Sequence, residues 1–271
     1  MQYDNIKRTL GVVFNHHPAL RKCFYMLLDL LLLRAWHIKK ELRRLAKTLP
    51  DDAYIFDAGA GFGQYVYFMA HLNKKWNIKA VDIKEEQVED CNRFFAKIRQ
   101  NHRIHFERAD LTAFCEPKKY HIALAIDVME HIQDDVSVFR NIFCSLKQGG
   151  VLLMSTPSDK GGSDTEHDRN TFIDEHVRNG YNPEELRKKL ANAGFSEIKI
   201  AYTYGRLGNI SWLLSMKYPM LALGASKLFF ILLPFYYIIV FPLCLLLNWW
   251  DISVRHSSGT GLKISGVKLQ S

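Results

Sequence analysis

Ile55 to Tyr65 reads IFDAGAGFGQY. An apolar run ends at Asp57, and Gly59, Gly61 and Gly63 then alternate before the next apolar stretch. Glycine adopts positive φ easily and lets another molecule approach the backbone, and a helix starting there offers unpaired N–H donors. A phosphate or a carboxylate fits such a turn. The spacing is Gly-x-Gly-x-Gly with an acid two places before the first glycine, which differs from the dinucleotide fingerprint. The lysine of a triphosphate-binding loop is missing, which argues against a nucleoside triphosphate. Three more acids close apolar runs: Asp82 in IKAVDI, Asp110 in RADL and Asp127 in AIDVMEHI. A carboxylate at Asp82 can accept from both ribose hydroxyls at once, although dinucleotide enzymes use the same position. Each acid alone could be a surface residue or a helix cap; three at successive strand ends point to one ligand site. Glu130 and His131 follow directly. An imidazole titrates near neutral pH and suits a general base, or His131 could pack against a ligand or cap the next helix.

Asp57-x-Gly59-x-Gly61-x-Gly63, followed by Asp82, Asp110 and Asp127, resembles motif I and the later acidic positions of class I S-adenosylmethionine-dependent methyltransferases. The resemblance covers about residues 50 to 200. It implies S-adenosylmethionine as methyl donor. The backbone of Asp57, Ala58, Gly59, Ala60, Gly61 and Gly63 would hold the methionine end. Asp82 and Ile83 would hold the ribose, and Asp110 with Leu111 the adenine, with Asp127 closing the fourth strand beside them. Methyl transfer is an in-line displacement, so the protein must align the acceptor and take a proton if the acceptor is a hydroxyl. The Glu130–His131 pair resembles the motif that small-molecule methyltransferases carry there, including the O-methyltransferases of quinone biosynthesis. That makes His131 the candidate base, with Glu130 and His176 as further catalytic candidates. Some relatives hold a divalent metal in a Glu-x-x-Glu-His pattern. Asp127, Glu130 and His131 stand at those positions, and His167 or His176 could complete the set. Aspartate at the first position shortens the reach, and no metal is expected.

These residues need a scaffold of repeated strand–helix units. Apolar runs at AYIFDAG, IKAVDI, RIHFERADL, HIALAIDV and GVLLMSTP alternate with helix-like KEEQVEDCNRFFAKIRQ and DDVSVFRNIFCSLKQGG. This α/β pattern predicts a Rossmann-like, doubly wound, seven-stranded and mostly parallel sheet with an antiparallel last strand. Asn182 caps a further helix that starts at Pro183 and stops at Gly194. SEIKIAYTYG and the tail GLKISGVKL supply the last strands, and a slip in alternation at Gly266 suggests a bulge in the tail. Residues 1–48 form a helical lead-in or lid, 49–203 with 260–271 the cofactor domain, and 204–259 an apolar helical insertion. Between the fifth strand and Asn182 runs a long polar loop, where His167, Glu175, His176, Arg178 and Tyr181 could face the acceptor. Glu175 and Arg178 could equally form a surface pair.

The chain has 271 residues, 48% hydrophobic and 24% charged, and a net charge of +8. That suits a full core and an anionic partner, either a membrane or a nucleic acid. The five cysteines are odd in number and include no Cys-x-x-Cys pair, which argues against a disulfide framework and a cysteine zinc site and points to a reducing compartment. Tyr25–Leu33 is apolar but starts late and contains Asp29, so a signal peptide is not expected. From Leu228 to Leu247 no residue is charged, and Trp249 and Trp250 follow. Length and aromatic anchors suit a membrane span. Pro234 and Pro242 interrupt the run, and the flanking strands must join one sheet, so helices that dip into one leaflet or wall an acyl-sized pocket are preferred over a single span. Ile38, Leu42, Leu45 and Leu49 form a stripe on a basic helix that continues an apolar one. This helix suits an anionic membrane surface, or a lid on which Trp36 and His37 cover the cofactor. Together these features predict methylation, preferably on oxygen, of a hydrophobic, lipid-like small molecule. The expected location is cytoplasmic, peripheral to the inner face of the membrane. An RNA methyltransferase is the first alternative, disfavoured because the apolar run is not a basic aromatic face. A non-catalytic membrane protein with this fold is the second, and oligomeric state is left open.

Overall fold

A computed structural model describes residues 17–161, 177–226 and 228–269. Seven strands form one sheet: β1 (Tyr54–Ala58), β2 (Asn77–Asp82), β3 (Ile104–Arg108), β4 (Tyr120–Ile126), β5 (Leu146–Pro157), β6 (Ser196–Thr203) and β7 (Gly261–Val267). Their order is β3-β2-β1-β4-β5-β7-β6. The first five strands are parallel, and β7 runs antiparallel between β5 and β6. The expected fold class is therefore found. Strand order reverses between β1 and β4, and a doubly wound sheet opens its ligand crevice at that point, beyond the carboxyl ends of the strands.

Both faces of the sheet are covered, and the strand period of two decides which residue joins which core. Ile55, Ile78, Ala80, Ile122, Leu124 and Leu153 join a cluster with Tyr25, Ile38, Leu42, Met69 and Phe95. Their neighbours Phe56, Val81, Ala123, Ala125, Leu152 and Met154 join the other cluster, with Phe139, Leu186 and Leu190. The covering helices are α1 (Pro18–Leu31), α2 (Leu33–Leu45), α3 (Gln64–Leu72), α4 (Glu85–Lys97), α5 (Asp135–Ser145) and α6 (Pro183–Asn192). Asn182 caps α6 as its sequence predicts, accepting from the backbone N–H groups of Glu184 and Glu185. Gly194 follows it at φ +104°.

Four expectations need correction. The segment after Ser145 does not extend α5; Leu146 already begins β5 and pairs with Tyr120. The bulge belongs to β6 rather than to Gly266. Gly266 pairs regularly with Leu152, while β6 shifts register between Ser196 and Lys199, with Glu197 at φ +47°. The lead-in is two helices, because Leu32 takes extended backbone between them. The stripe of α2 faces the protein core and not a membrane: Ile38, Leu42 and Leu45 are buried there, and Leu49 packs against them.

The insertion between β6 and β7 is a helical hairpin. Its outgoing arm is α7 (Arg206–Trp212), a π-helical turn (Leu213–Lys217) and α8 (Tyr218–Ala225); its returning arm is α9 (Phe229–Asp251). The Tyr236 hydroxyl donates to the Leu214 carbonyl and that of Tyr237 to the Ser215 carbonyl, both at 2.7 Å. Ser211 donates to the Cys244 carbonyl at 3.3 Å. These pairings run antiparallel, so the chain leaves the sheet and returns to the same side. This removes the objection to a membrane segment that one span would strand the tail. Pro234 and Pro242 do not interrupt α9; each removes one donor, which helices in apolar surroundings tolerate when neighbouring groups hold the chain. Of the described helices α9 alone is long and apolar enough to cross a membrane, and only 6% of its most apolar stretch is buried in the protein.

Candidate functional site

The glycine loop leaves β1 at its carboxyl end. Gly59 and Ala60 donate to the Val81 carbonyl at 2.9 and 3.0 Å, and Gly63 donates to Ala60 at 2.8 Å. Gly59 has φ +76°, and a Cβ there would lie 2.3 Å from Val128 Cγ2. At Gly61, with φ +51°, the nearest atom a Cβ would meet is Gln87 Oε1 at 3.9 Å, so its face is open to a ligand. Asp82 fixes this geometry from the end of β2: one carboxylate oxygen accepts from Gly61 N at 2.8 Å and the other from Lys84 N at 3.0 Å. Ile83 beside it is 62% exposed, an apolar side chain with no cover.

Asp57 lies beneath the loop and is 2% exposed. Burial, and secondly the charge of Asp82, push its carboxyl up to about 7. Its Oδ2 has no hydrogen-bond partner among the described residues. An orphaned buried acceptor at the crevice is costly unless a ligand donor meets it. Asp110 lies two residues beyond β3. It is exposed, and one oxygen caps its own turn by accepting from Thr112 N at 2.9 Å and Thr112 Oγ1 at 2.8 Å. Leu111 is buried in the second core. The glycine loop, Asp82 and Asp110 thus stand at the ends of adjacent strands, as their spacing predicts.

The other side of the crevice differs from expectation. Asp127 has φ +51° and its carboxylate is ion-paired with Arg34 of α2, a partner the sequence gives no sign of. Arg34 also donates its backbone N–H to the Tyr204 hydroxyl at 3.0 Å. Asp29 of α1 accepts from Gln64 at 2.6 Å and pairs with Lys39. The Phe62 carbonyl of the glycine loop accepts from Arg21 at 3.0 Å and from Tyr25 at 2.5 Å. The lead-in therefore closes onto the loop through polar contacts. His37 does not cover the crevice: its Nε2 lies 3.0 Å from Asp251 Oδ1 at the end of α9.

Glu130 and His131 lie on a 3-10 turn (Met129–His131) after β4, and they divide. Glu130 is 1% exposed, and burial pushes its carboxyl up to about 7 against a 3.2 Å hydrogen bond from Thr156 Oγ1. His131 is exposed. Asp127, Glu130 and His131 do not assemble as a metal site; among the described residues no three His, Cys, Asp or Glu side chains converge for one. His167, Glu175 and His176 lie outside the described residues. Arg178 and Tyr181 do not turn toward an acceptor. Both bind Asp135, and Arg178 also donates to the Ile132 and Gln133 carbonyls at 2.6 and 3.1 Å, so they hold the turn in place.

Residues 33–200 match the family described as methyltransferase domain. Over 160 residues the chain is 28% identical to a phosphoethanolamine N-methyltransferase of Triticum aestivum, covering 59% of this chain and 31% of that protein. The chain thus spans less than a third of that relative's length. Among solved structures, Haemonchus contortus phosphoethanolamine N-methyltransferase 2 with S-adenosyl-L-methionine is similar at TM-score 0.62 and 17% identity, over 87% of this chain and 53% of that one. Geranyl diphosphate C-methyltransferase from Streptomyces coelicolor A3(2) is similar at TM-score 0.58 and 11% identity, over 85% and 76%. These likenesses show the fold. The family match covers more than half of the sequence, and by it this chain belongs to the methyltransferase domain family.

Proposed function

We propose that the chain transfers a methyl group from S-adenosylmethionine to a small-molecule acceptor carried in a membrane. The crevice fits the cofactor on three observations: the orphaned Oδ2 of Asp57, the open face of Gly61 and the uncovered Ile83 next to Asp82. Asp57 and the Gly59–Gly63 backbone would hold the methionine end, Asp82 with Ile83 the ribose, and Asp110 with Leu111 the adenine. When bound, the cofactor supplies an activated methyl group on a sulfonium. The protein then has to orient the acceptor and receive a proton. His131 is the exposed base at the strand ends, and we assign it that role for a hydroxyl acceptor. Buried Glu130 positions its turn, held by Thr156. Asp127 anchors the lead-in through Arg34 rather than contacting the cofactor.

The membrane part of the reading rests on one observation, the uncovered length of α9. Monomeric soluble proteins rarely expose so large a continuous apolar surface. The foot of α9 is tied to the lead-in that closes the crevice, through His37–Asp251 and a 2.7 Å bond from Lys40 to the Ile252 carbonyl. The five free thiols favour the reducing, cytoplasmic side. A polar amine acceptor is the second reading, favoured by the sequence likeness to phosphoethanolamine N-methyltransferases. Full-length protein is incubated in vesicles of total lipid extract with methyl-labelled cofactor and, separately, with phosphoethanolamine. Label in the organic-extractable fraction supports the membrane-borne acceptor; label confined to water-soluble phosphoethanolamine overturns it in favour of the second reading.

A further inference from the structure

At the foot of the hairpin, where α9 ends and the chain returns toward β7, lies a cleft of about 600 Å³. It is not the crevice of the glycine loop. Three cations line it from three segments: Lys160 beyond β5, Arg206 at the start of α7, and Arg255 beyond α9. All three are exposed, and neither arginine forms an ion pair with a described residue. Hydroxyl and amide side chains, including Ser257, Ser258, Thr260 and Asn209, fill the spaces between them.

One acid, Asp251, also lines the cleft, and its charge is already engaged. Its Oδ1 meets His37 Nε2 at 3.0 Å; its Oδ2 accepts from Gly205 N at 2.9 Å and Gly208 N at 3.1 Å, with His256 Nε2 at 3.2 Å. The cleft therefore carries a positive excess with hydrogen-bond donors, the composition that recognises a phosphate. Trp250 forms part of its wall. Trp250 and Trp249 are 58% and 61% exposed, as at a membrane–water boundary. At 1.5 Å per residue α9 is about 34 Å long, close to the hydrocarbon thickness of a bilayer. With α9 in the membrane, the cleft falls at the level of the lipid phosphates.

We infer that this cleft binds the phosphate of a membrane phospholipid, with Lys160, Arg206 and Arg255 as its ligands. The inference rests on the membrane reading of α9 and not on which acceptor is methylated. It commits to a lipid because the apolar helix and the tryptophans place acyl chains beside the cleft, and a free phosphate uses neither.

The test uses full-length protein in neutral detergent, titrated calorimetrically with short-chain phosphatidic acid, with the matching diacylglycerol and with inorganic phosphate. Phosphatidic acid should bind saturably and inorganic phosphate far more weakly. The R206Q/R255Q variant should lose about tenfold or more in affinity, and R206K/R255K should keep most of it, since charge-assisted contacts dominate. Binding of S-adenosylhomocysteine serves as the fold control and should be unchanged in both variants. Diacylglycerol binding as well as phosphatidic acid, or unchanged affinity in R206Q/R255Q, overturns the site. Inorganic phosphate binding as tightly as the lipid overturns the lipid assignment.

Discussion

Replacing Asp57 by asparagine should stabilise the ligand-free protein at high pH and weaken cofactor binding. Asp57 is buried, and its carboxyl is pushed from 3.8 up to about 7. In the folded state it keeps its proton at pH values where the unfolded chain has lost it. Stability therefore falls as pH rises between the two values, and the full penalty is present above the folded one. At 1.36 kcal/mol per unit, a rise of roughly three units amounts to about 4 kcal/mol at pH 8, against about 1.5 kcal/mol at pH 5. Asparagine does not titrate, although its amide brings about 1–2 kcal/mol of unsatisfied polarity of its own. That second cost is independent of pH, so the pH-dependent difference of about 2.5 kcal/mol is the quantity to measure. Glu130, also raised, contributes equally to both proteins and cancels. Urea unfolding of both proteins, followed by near-ultraviolet circular dichroism in mild detergent, should show their midpoints separating by about 1 M between these pH values. A pH-independent separation, or a wild type that gains on the variant as pH rises, refutes the account of Asp57 as an ionised group held at a cost for its ligand. Calorimetry with the cofactor should show weaker binding by the variant, the usual exchange of stability for function.

Other expectations follow from the same geometry. Asp82→Ala should keep the fold and lose about 10- to 100-fold in S-adenosylhomocysteine affinity, because the carboxylate both braces Gly61 and offers the ribose site; equal affinity in calorimetry removes Asp82 from the site. His131→Ala should bind S-adenosylhomocysteine normally and slow methyl transfer about 100-fold for a hydroxyl acceptor, and unchanged single-turnover rates would eliminate it as the base. Gly59→Ala should destabilise by about 2–4 kcal/mol, since its φ is positive and its Cβ would collide with Val128; a midpoint like that of wild type would show that the loop relaxes freely.

The strands were readable because each is an apolar run bounded by turn residues, and the sheet buries both faces of those runs. The glycine loop with Asp82 and Asp110 was readable because its chemistry is local: strand end, turn, helix start. What escaped the sequence depends on distant partners. Arg34 resembled one more charge on a basic helix face until Asp127, in a segment more than ninety positions on, proved to be its partner. The sequence leaves His37 open between a membrane-surface helix and a lid over the cofactor, because nothing near it suggests Asp251. The α2 stripe had the right period, but period alone does not say whether it meets a core or a lipid. That the insertion returns to its starting side is readable from the two strands that flank it; its outgoing arm is not, because charged Lys217 and the polar residues of α7 mask it.

The place of β7 bears on how the molecule is made. It fills the slot between β5 and β6, yet it is the last strand in order, after the whole hairpin. Until it arrives, β5 and β6 each present an open edge, and the sheet cannot close. Pairing β5 with β7 brings together Val151 and Val267, a contact of very long sequence separation and correspondingly slow formation. The chain has to turn back through α9 before the cofactor domain can be completed. A molecule whose hairpin fails to seat retains an unfinished sheet, so the proteolytic machinery that removes open-edged intermediates would also remove copies lacking their apolar arm. Assembly order thus couples two properties that share no residue: completion of the sheet that carries the glycine loop and possession of the apolar hairpin.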